Sequence, residues 1–196
     1  MSSHDRILSS AKHLFATRGY ENTSTVAIAR AAATSESQLI KHFGSKEGLL
    51  EAIFDVGWER MSSAFPALQP IASPAERLEA LLEMMLSGLE RDPELKQLML
   101  LEGRRIRKEG HMVLLTGGYL RLVQMADAML AEMKSKGELR EDVDPQAVRS
   151  ALMGMQESMM RDQVLAERIG FPATFKTDAL RKIFHITLAA FSKKLR

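Results

Sequence analysis

Apolar residues recur along this chain at helical spacing. Ile7, Leu8, Ala11, Leu14 and Phe15 fall at i, i+1, i+4, i+7 and i+8, which places them on one helix face. Gly19 stops that helix, and Tyr20 packs back beneath it. Ser24 or Thr25 caps a short helix containing Val26, Ile28, Ala29 and Ala32. Ala33-Thr34 forms a turn, and Ser35 caps a further helix whose Leu39 and Phe43, four apart, point inward. Gly44 ends it. Ser45-Lys46-Glu47-Gly48 then caps a longer helix carrying Leu49, Leu50, Ile53, Phe54 and Trp58, which is expected to reach Phe65.

All six prolines lie after residue 64, and Pro66, Pro70 and Pro74 make a connector that cannot be continuous helix. Leu78, Leu81, Leu82, Met85 and Leu89 then form an apolar stripe. Asp92-Pro93 is a cap followed by proline at the first helical position, and its helix is expected to run to about Lys108. A long helix is expected from about His111 to Lys136, with Gly137 ending it. Asp144-Pro145 repeats the cap-plus-proline signal and opens a helix to about Ile169. A last helix covers about Thr174–Lys193, with Leu180, Ile183, Phe184, Thr187 and Phe191 in register. No run sustains period-two alternation, and no Asn-Gly or Asp-Gly hairpin turn occurs. The expected fold is all-α with about nine helices. A three-helix N-terminal domain (residues 1–48) precedes a larger helical domain (49–196).

Composition narrows the function classes. The chain has 196 residues, 45% hydrophobic and 27% charged, as a globular protein with a buried core would. There is no cysteine, so disulfides and thiolate metal sites are excluded. The N-terminus lacks the apolar run of a signal peptide, and no stretch approaches the length of a membrane span, so a cytoplasmic protein is expected. The net charge of +2 lies in residues 1–48, which hold six basic and four acidic residues; the remainder holds 21 of each. A small basic lobe on a neutral body is compatible with nucleic-acid binding. The five histidines (His4, His13, His42, His111, His185) show no i, i+4 pair, so no metal site is expected. No cofactor loop is present, because Gly117-Gly118 lacks a preceding strand and suits a kink or close packing.

Residues 24–50 carry the candidate chemistry. Helix, tight turn, helix is the geometry that braces one helix on the DNA backbone while the next lies in the major groove. With Leu39 and Phe43 inward, Glu36, Ser37, Gln38, Lys41 and His42 face outward. Gln38 can pair with adenine, Glu36 can accept from cytosine, and Lys41 can donate to guanine or phosphate. Ser24, Thr25 and Lys46 sit at helix N-termini, where backbone N–H groups suit a phosphate. The same pattern also fits an ordinary part of a helical bundle.

The run Gly19-Tyr20-Glu21-Asn22-Thr23-Ser24-Thr25, followed by residues 28–50 (IARAAATSESQLIKHFGSKEGLL), resembles the N-terminal domain of the TetR family of bacterial transcriptional repressors. The resemblance covers about residues 5–52. Beyond it, only the helix layout and the Gly-Glu-Leu-Arg…Asp-Pro connector (Gly137–Pro145) are similar. It implies a helix-turn-helix domain in which the positions of Ser37, Gln38, Lys41 and His42 touch DNA and that of Lys46 meets a phosphate. Three positions depart from the family pattern. Ala33 stands where glycine is common, which would strain a left-handed turn by about 1 kcal/mol. Ile40 replaces a tyrosine, and Lys41 a common aromatic.

In that family the middle helices hold an effector. Twelve of the thirteen methionines lie after residue 60, and methionine suits both irregular cores and adaptable pockets. Met84, Met85, Met112, Met125 and Met155, with Trp58 and Tyr119, are the candidates for lining a cavity that takes an apolar or amphipathic small molecule. The cluster Arg104, Arg105, Arg107 and Lys108 reads either as a solvated helix end or as a counter-charge for an anionic effector. The family also dimerises through its last two helices. Ala147, Ala151, Gly154 and Ser158 form a small-residue stripe there and, with Phe184 and Phe191, are the candidate interface. The implied protein is a homodimeric, effector-released repressor of a palindromic operator in double-stranded DNA. Two alternatives are a helical dimerisation module and a helical enzyme with an apolar cavity. No nucleophile–base spacing supports the enzyme.

Overall fold

Ser2 opens the first helix by a reciprocal cap: its hydroxyl accepts from the Asp5 N–H at 3.1 Å, and the Asp5 carboxylate accepts from the Ser2 N–H at 3.0 Å. The computed structural model describes residues 2–193, and among these nine α-helices form. They are α1 (Ser3–Arg18), α2 (Thr25–Ala31), α3 (Glu36–Phe43), α4 (Lys46–Ser62), α5 (Pro74–Glu90), α6 (Pro93–Leu101), α7 (Gly117–Ser135), α8 (Pro145–Ile169) and α9 (Thr177–Phe191). No helix among the described residues is long and apolar enough to cross a membrane.

The anticipated caps form. Ser24, Ser35, Asp92 and Asp144 each accept from the backbone N–H three residues on. Several boundaries differ from the periodicity, however. α4 stops at Ser62, and a short 3-10 turn covers Phe65–Leu68, with Pro66 at its second position. α6 ends at Leu101 and not near Lys108, and residues 111–116 are not helical. Between them Arg107–Lys108 (β1) pairs antiparallel with His111–Met112 (β2). The hairpin turn is Glu109-Gly110, both with positive φ (51° and 86°), as a tight two-residue turn requires. Glutamate seldom adopts that conformation, so the pair carries no ordinary turn signal. α9 starts at Thr177, three residues later than expected.

The chain divides into two compact units, and the expected boundary after residue 48 falls inside the first. Unit 1 is residues 1–60 with 89–119. Its core includes Ile7, Phe15, Ile28, Leu39, Leu49, Leu50, Phe54, Leu98 and Val113, all essentially inaccessible. Each large apolar side chain so buried contributes about 1.5–3 kcal/mol. Polar contacts fasten α6 onto α1: Lys12 to Asp92 at 2.7 Å, His13 to Glu94 at 2.8 Å, and Gln97 to the Ala16 carbonyl at 2.6 Å. Glu51 of α4 holds the hairpin through Lys108 at 2.6 Å and His111 at 3.0 Å. Arg105 bridges Glu102 and Glu21. All four members of the 104–108 basic cluster thus have protein partners, Arg104 through Tyr119 and Arg107 through the Arg104 carbonyl, and lie past the helix end.

Unit 2 is residues 61–88 with 120–196. Val148, Leu152, Met160 and Val164 of α8 pack with Leu180, Phe184 and Leu188 of α9. Gln156, buried in this seam, donates to the Leu180 carbonyl at 3.1 Å. Ile183, expected in the inward register, faces out instead, because Leu180, Phe184 and Leu188 already define the i, i+4, i+8 seam.

Candidate nucleic-acid interface

The α2–α3 connection decides how α3 is presented. The Ala33 N–H donates to the Arg30 carbonyl at 3.1 Å and the Thr34 N–H to Ala29 at 3.0 Å, the paired bonds of a Schellman stop. That stop needs a left-handed residue, and Ala33 supplies it at φ 49°. Glycine would do so without the Cβ penalty. Arg6 of α1 donates to the Ala32 carbonyl at 3.0 Å and braces the same corner. Behind it Ile28, Ala29, Ala32 and Leu39 are buried.

With Leu39 as the inward anchor, Glu36, Ser37, Gln38, Ile40, Lys41 and His42 are all exposed. They form one continuous outward surface. Ser35 accepts from the Gln38 N–H at 3.3 Å and meets the Ser37 hydroxyl at 2.9 Å, fixing the first turn. Thr25 donates its hydroxyl to the Glu36 carboxylate, so these two candidate residues join each other across the α2–α3 starts. Ser24 is exposed at the α2 N-terminus and caps Ala27 at 3.1 Å. His42 is tied to the start of α1, with Nε2 3.3 Å from the Ser3 hydroxyl and its ring edge-on to His4 at 5.6 Å. The periodicity gave no sign of this pairing, because it joins residues 39 positions apart.

Lys46, half-buried at the α4 N-terminus, holds its Nζ 4.2 Å from the Tyr20 ring centroid, a cation–π position. Tyr20 donates to Glu47 at 2.9 Å. Burial, then this carboxylate, push the Tyr20 phenol up. The Glu47 carboxylate lies below its ordinary value because its own backbone N–H binds it, with Tyr20, Ser45 and Lys46 assisting against burial. Gly48 is required at the next corner: a Cβ there would lie 2.1 Å from the Phe43 carbonyl oxygen. Two exposed apolar side chains, Val26 (50%) and Ile40 (43%), flank the polar residues.

The match to known proteins follows this geometry. Residues 7–53 match the model of bacterial regulatory proteins of the tetR family, and residues 59–182 match that of the YsiA-like protein C-terminal region. The chain belongs to the TetR family. It is a DNA-binding transcription regulator and not an enzyme. This TetR-family chain is 24% identical over 171 residues to the HTH-type transcriptional regulator UidR of Escherichia coli strain K12, covering 87% of this chain and 85% of that relative. In fold it is similar to the fatty acid degradation regulator FadR of Bacillus halodurans, with a TM-score of 0.81 at 22% identity over 96% and 95% of the two chains. It is also similar to FadR of Bacillus subtilis in complex with stearoyl-CoA, with a TM-score of 0.74 at 20% identity over 96% and 97%.

The other expected residues of this TetR-family chain are distributed as follows. Trp58, Met112 and Tyr119 belong to unit 1; Trp58 is buried and the other two are half-buried. Met84, Met85, Met125 and Met155 are half-buried in unit 2, where the Thr187 hydroxyl donates to the Met155 sulfur at 3.6 Å. A groove of about 440 Å³ in unit 2 is lined by none of the seven. Its walls carry Glu76, Glu79, Glu83, Arg181 and His185, with Arg181 bound to Glu83 and His185 to Glu79, each at 2.6 Å. Gly118 serves close packing: a Cβ there would lie 2.3 Å from Trp58 Cβ. Along α8, Ala147, Ala151 and Gly154 are exposed and Ser158 is half-buried. Phe184 is turned into the α8–α9 seam and Phe191 is half-buried. Ile183 (38%) and Ile186 (51%) are the large apolar residues that α9 exposes.

Proposed function

We propose that this chain is a homodimeric cytoplasmic repressor that binds a palindromic operator and is released by an amphipathic acyl effector. The observation that carries the DNA part is the continuous exposed surface of α3, with Ser37, Gln38, Lys41 and His42 presented by a buried Leu39. Gln38 and Lys41 read base edges, whereas Ser24, Thr25 and Lys46 hold the phosphate backbone. Glu36 is shared between a base contact and its bond to Thr25.

Dimerisation is supported by the exposed small and apolar residues of α8 and α9. Ala147, Ala151, Gly154 and Ser158 admit close backbone approach, and Ile183, Ile186 and Phe191 supply apolar area. Two-fold pairing sets two copies of α3 about one DNA turn apart. The acyl class is suggested by the stearoyl-CoA complex of a structural relative. In unit 1 the effector meets Trp58, Met112 and Tyr119. Its binding favours a dimer whose reading helices no longer match adjacent grooves.

A mobility-shift assay against the promoter of the chain's own operon tests this, with and without a long-chain acyl-CoA. The expected result is one saturable shift at a palindrome, abolished by the thioester. Binding that is equally strong on unrelated sequence and purely salt-controlled would sink the repressor reading.

A further inference from the structure

Trp58 presents a chemical problem that packing does not solve. It is buried to 3% exposure on α4, yet its indole Nε1–H has no hydrogen-bond partner among the described residues. A buried donor left without an acceptor is costly, and native proteins rarely tolerate one without a use for it. The ring is not free to turn toward solvent. The backbone at Gly118 lies against its Cβ, so tightly that any side chain there would collide, and Tyr119 meets the ring edge-to-face at 5.6 Å between centroids.

A second donor stands beside it. The Tyr119 hydroxyl accepts from the Arg104 guanidinium at 3.0 Å. An oxygen that accepts from a cation retains its own hydrogen for another acceptor. Arg104 also lies 5.8 Å from the centre of the Tyr119 ring, so its positive charge is held close by. Trp58, Tyr119 and the Arg104 guanidinium thus lie together in one cluster, with two neutral donors and one cation between them. Two carboxylates of unit 1 are engaged with other cations: Glu51 with Lys108 and His111, Glu102 with Arg105.

We infer that Trp58 Nε1–H and the Tyr119 hydroxyl form a donor pair for the acyl oxygen of the effector, a carbonyl or carboxylate, with Arg104 favouring a negatively charged ligand. The assignment rests on the acyl-effector reading above and adds to it the ligand atom that is recognised. It excludes alkyltrimethylammonium amphiphiles and plain hydrocarbons as effectors, since neither offers an acceptor.

The full-length protein is titrated calorimetrically with octanoyl-CoA, octanoate and octyltrimethylammonium. Octanoyl-CoA and octanoate are expected to bind, and the cation at least about tenfold more weakly. Trp58→Phe and Tyr119→Phe each keep an aromatic ring but remove a donor, and each is expected to weaken octanoyl-CoA about fivefold to tenfold. Because the chain has one tryptophan, its single indole N–H resonance can be followed directly in the wild type. A downfield move on adding octanoyl-CoA is expected as the N–H gains its acceptor. Binding with an unmoved indole resonance and unchanged affinity in both variants overturns the donor pair while leaving the effector reading intact. Equal affinity for the cation does the same. If none of the three probes binds the wild type, the acyl-effector reading and this assignment fall together.

Discussion

Two surfaces of this regulator are open to solvent and opposite in chemistry. The outward side of α3 shows Ser37, Gln38, Lys41 and His42, with Ile40 among them. The outward sides of α8 and α9 show Ala147, Ala151, Gly154, Ile183 and Ile186. A groove of DNA offers donors, acceptors and phosphates, so a surface that reads it must carry hydrogen-bonding groups and positive charge. A second protein copy offers apolar area and close backbone approach, so small and branched side chains serve there. Exposure alone says that a surface is available; its side chains say to what.

The harshest test of this contrast places a charge on the second surface. Ile186→Asp is expected to leave the fold of each protomer intact, since Ile186 is exposed in it. In the proposed interface the carboxylate would be buried without a partner, which costs several kcal/mol. Sedimentation should show monomers, with operator binding lost as well. A variant that still sediments as a dimer would remove α9 from the interface.

The first surface is tested by truncating its polar groups. Gln38→Ala and Lys41→Ala are expected to cost about 1–3 kcal/mol at one base step each if they read bases. Lys46→Ala should weaken all sequences alike and flatten the salt dependence. Measurement on a set of single-base operator variants separates the two behaviours, and uniform losses for Gln38 and Lys41 would demote them to backbone contacts.

A smaller effect concerns the turn that presents α3. Ala33→Gly relieves a left-handed alanine and should raise stability by about 1 kcal/mol in denaturant unfolding, with sequence preference unchanged. A loss of stability would mean that the greater freedom of glycine in the unfolded chain outweighs the strain.

The smallest effect is a matter of pH. Burial pushes the Glu51 carboxyl up, but the hydrogen bonds and charges of Lys108 and His111 outweigh it, so its net shift is downward. A lowered carboxylate contributes stability above its unfolded value of 4.5, and that contribution is lost as pH falls through the lower folded value. Glu51→Gln should therefore be less stable than wild type at neutral pH, by under about 1 kcal/mol. Thermal melts of the two proteins should converge below the ordinary glutamate range. A gap that persists in strong acid would assign the effect to packing.

Much of the fold was legible because its signals are local. Ser24, Ser35, Asp92 and Asp144 cap helices by reaching three residues along their own chain, and apolar residues three and four apart choose the buried face of α1 and α3. The outward set of α3 followed from the same spacing. The hairpin at residues 107–112 was not legible, since Glu109 stands where Asn, Asp or Gly usually precedes the turn glycine and two-residue strands show no alternation. Ile183 could not be assigned a side until Leu180, Phe184 and Leu188 had taken the seam with α8.

The sequence by itself determined the helices, their caps, the helix-turn-helix and the family to which its residues belong, because each depends on neighbours within a few positions. Only the tertiary structure decided that α6 and the hairpin share a unit with the reading helices, through Lys12–Asp92, His13–Glu94 and Glu51–Lys108. Only it showed that His42 leans on Ser3, that Thr25 answers Glu36, and that the Trp58 N–H is buried without an acceptor. Such pairings join residues far apart in the chain or depend on a vacant partner, and no periodicity records either.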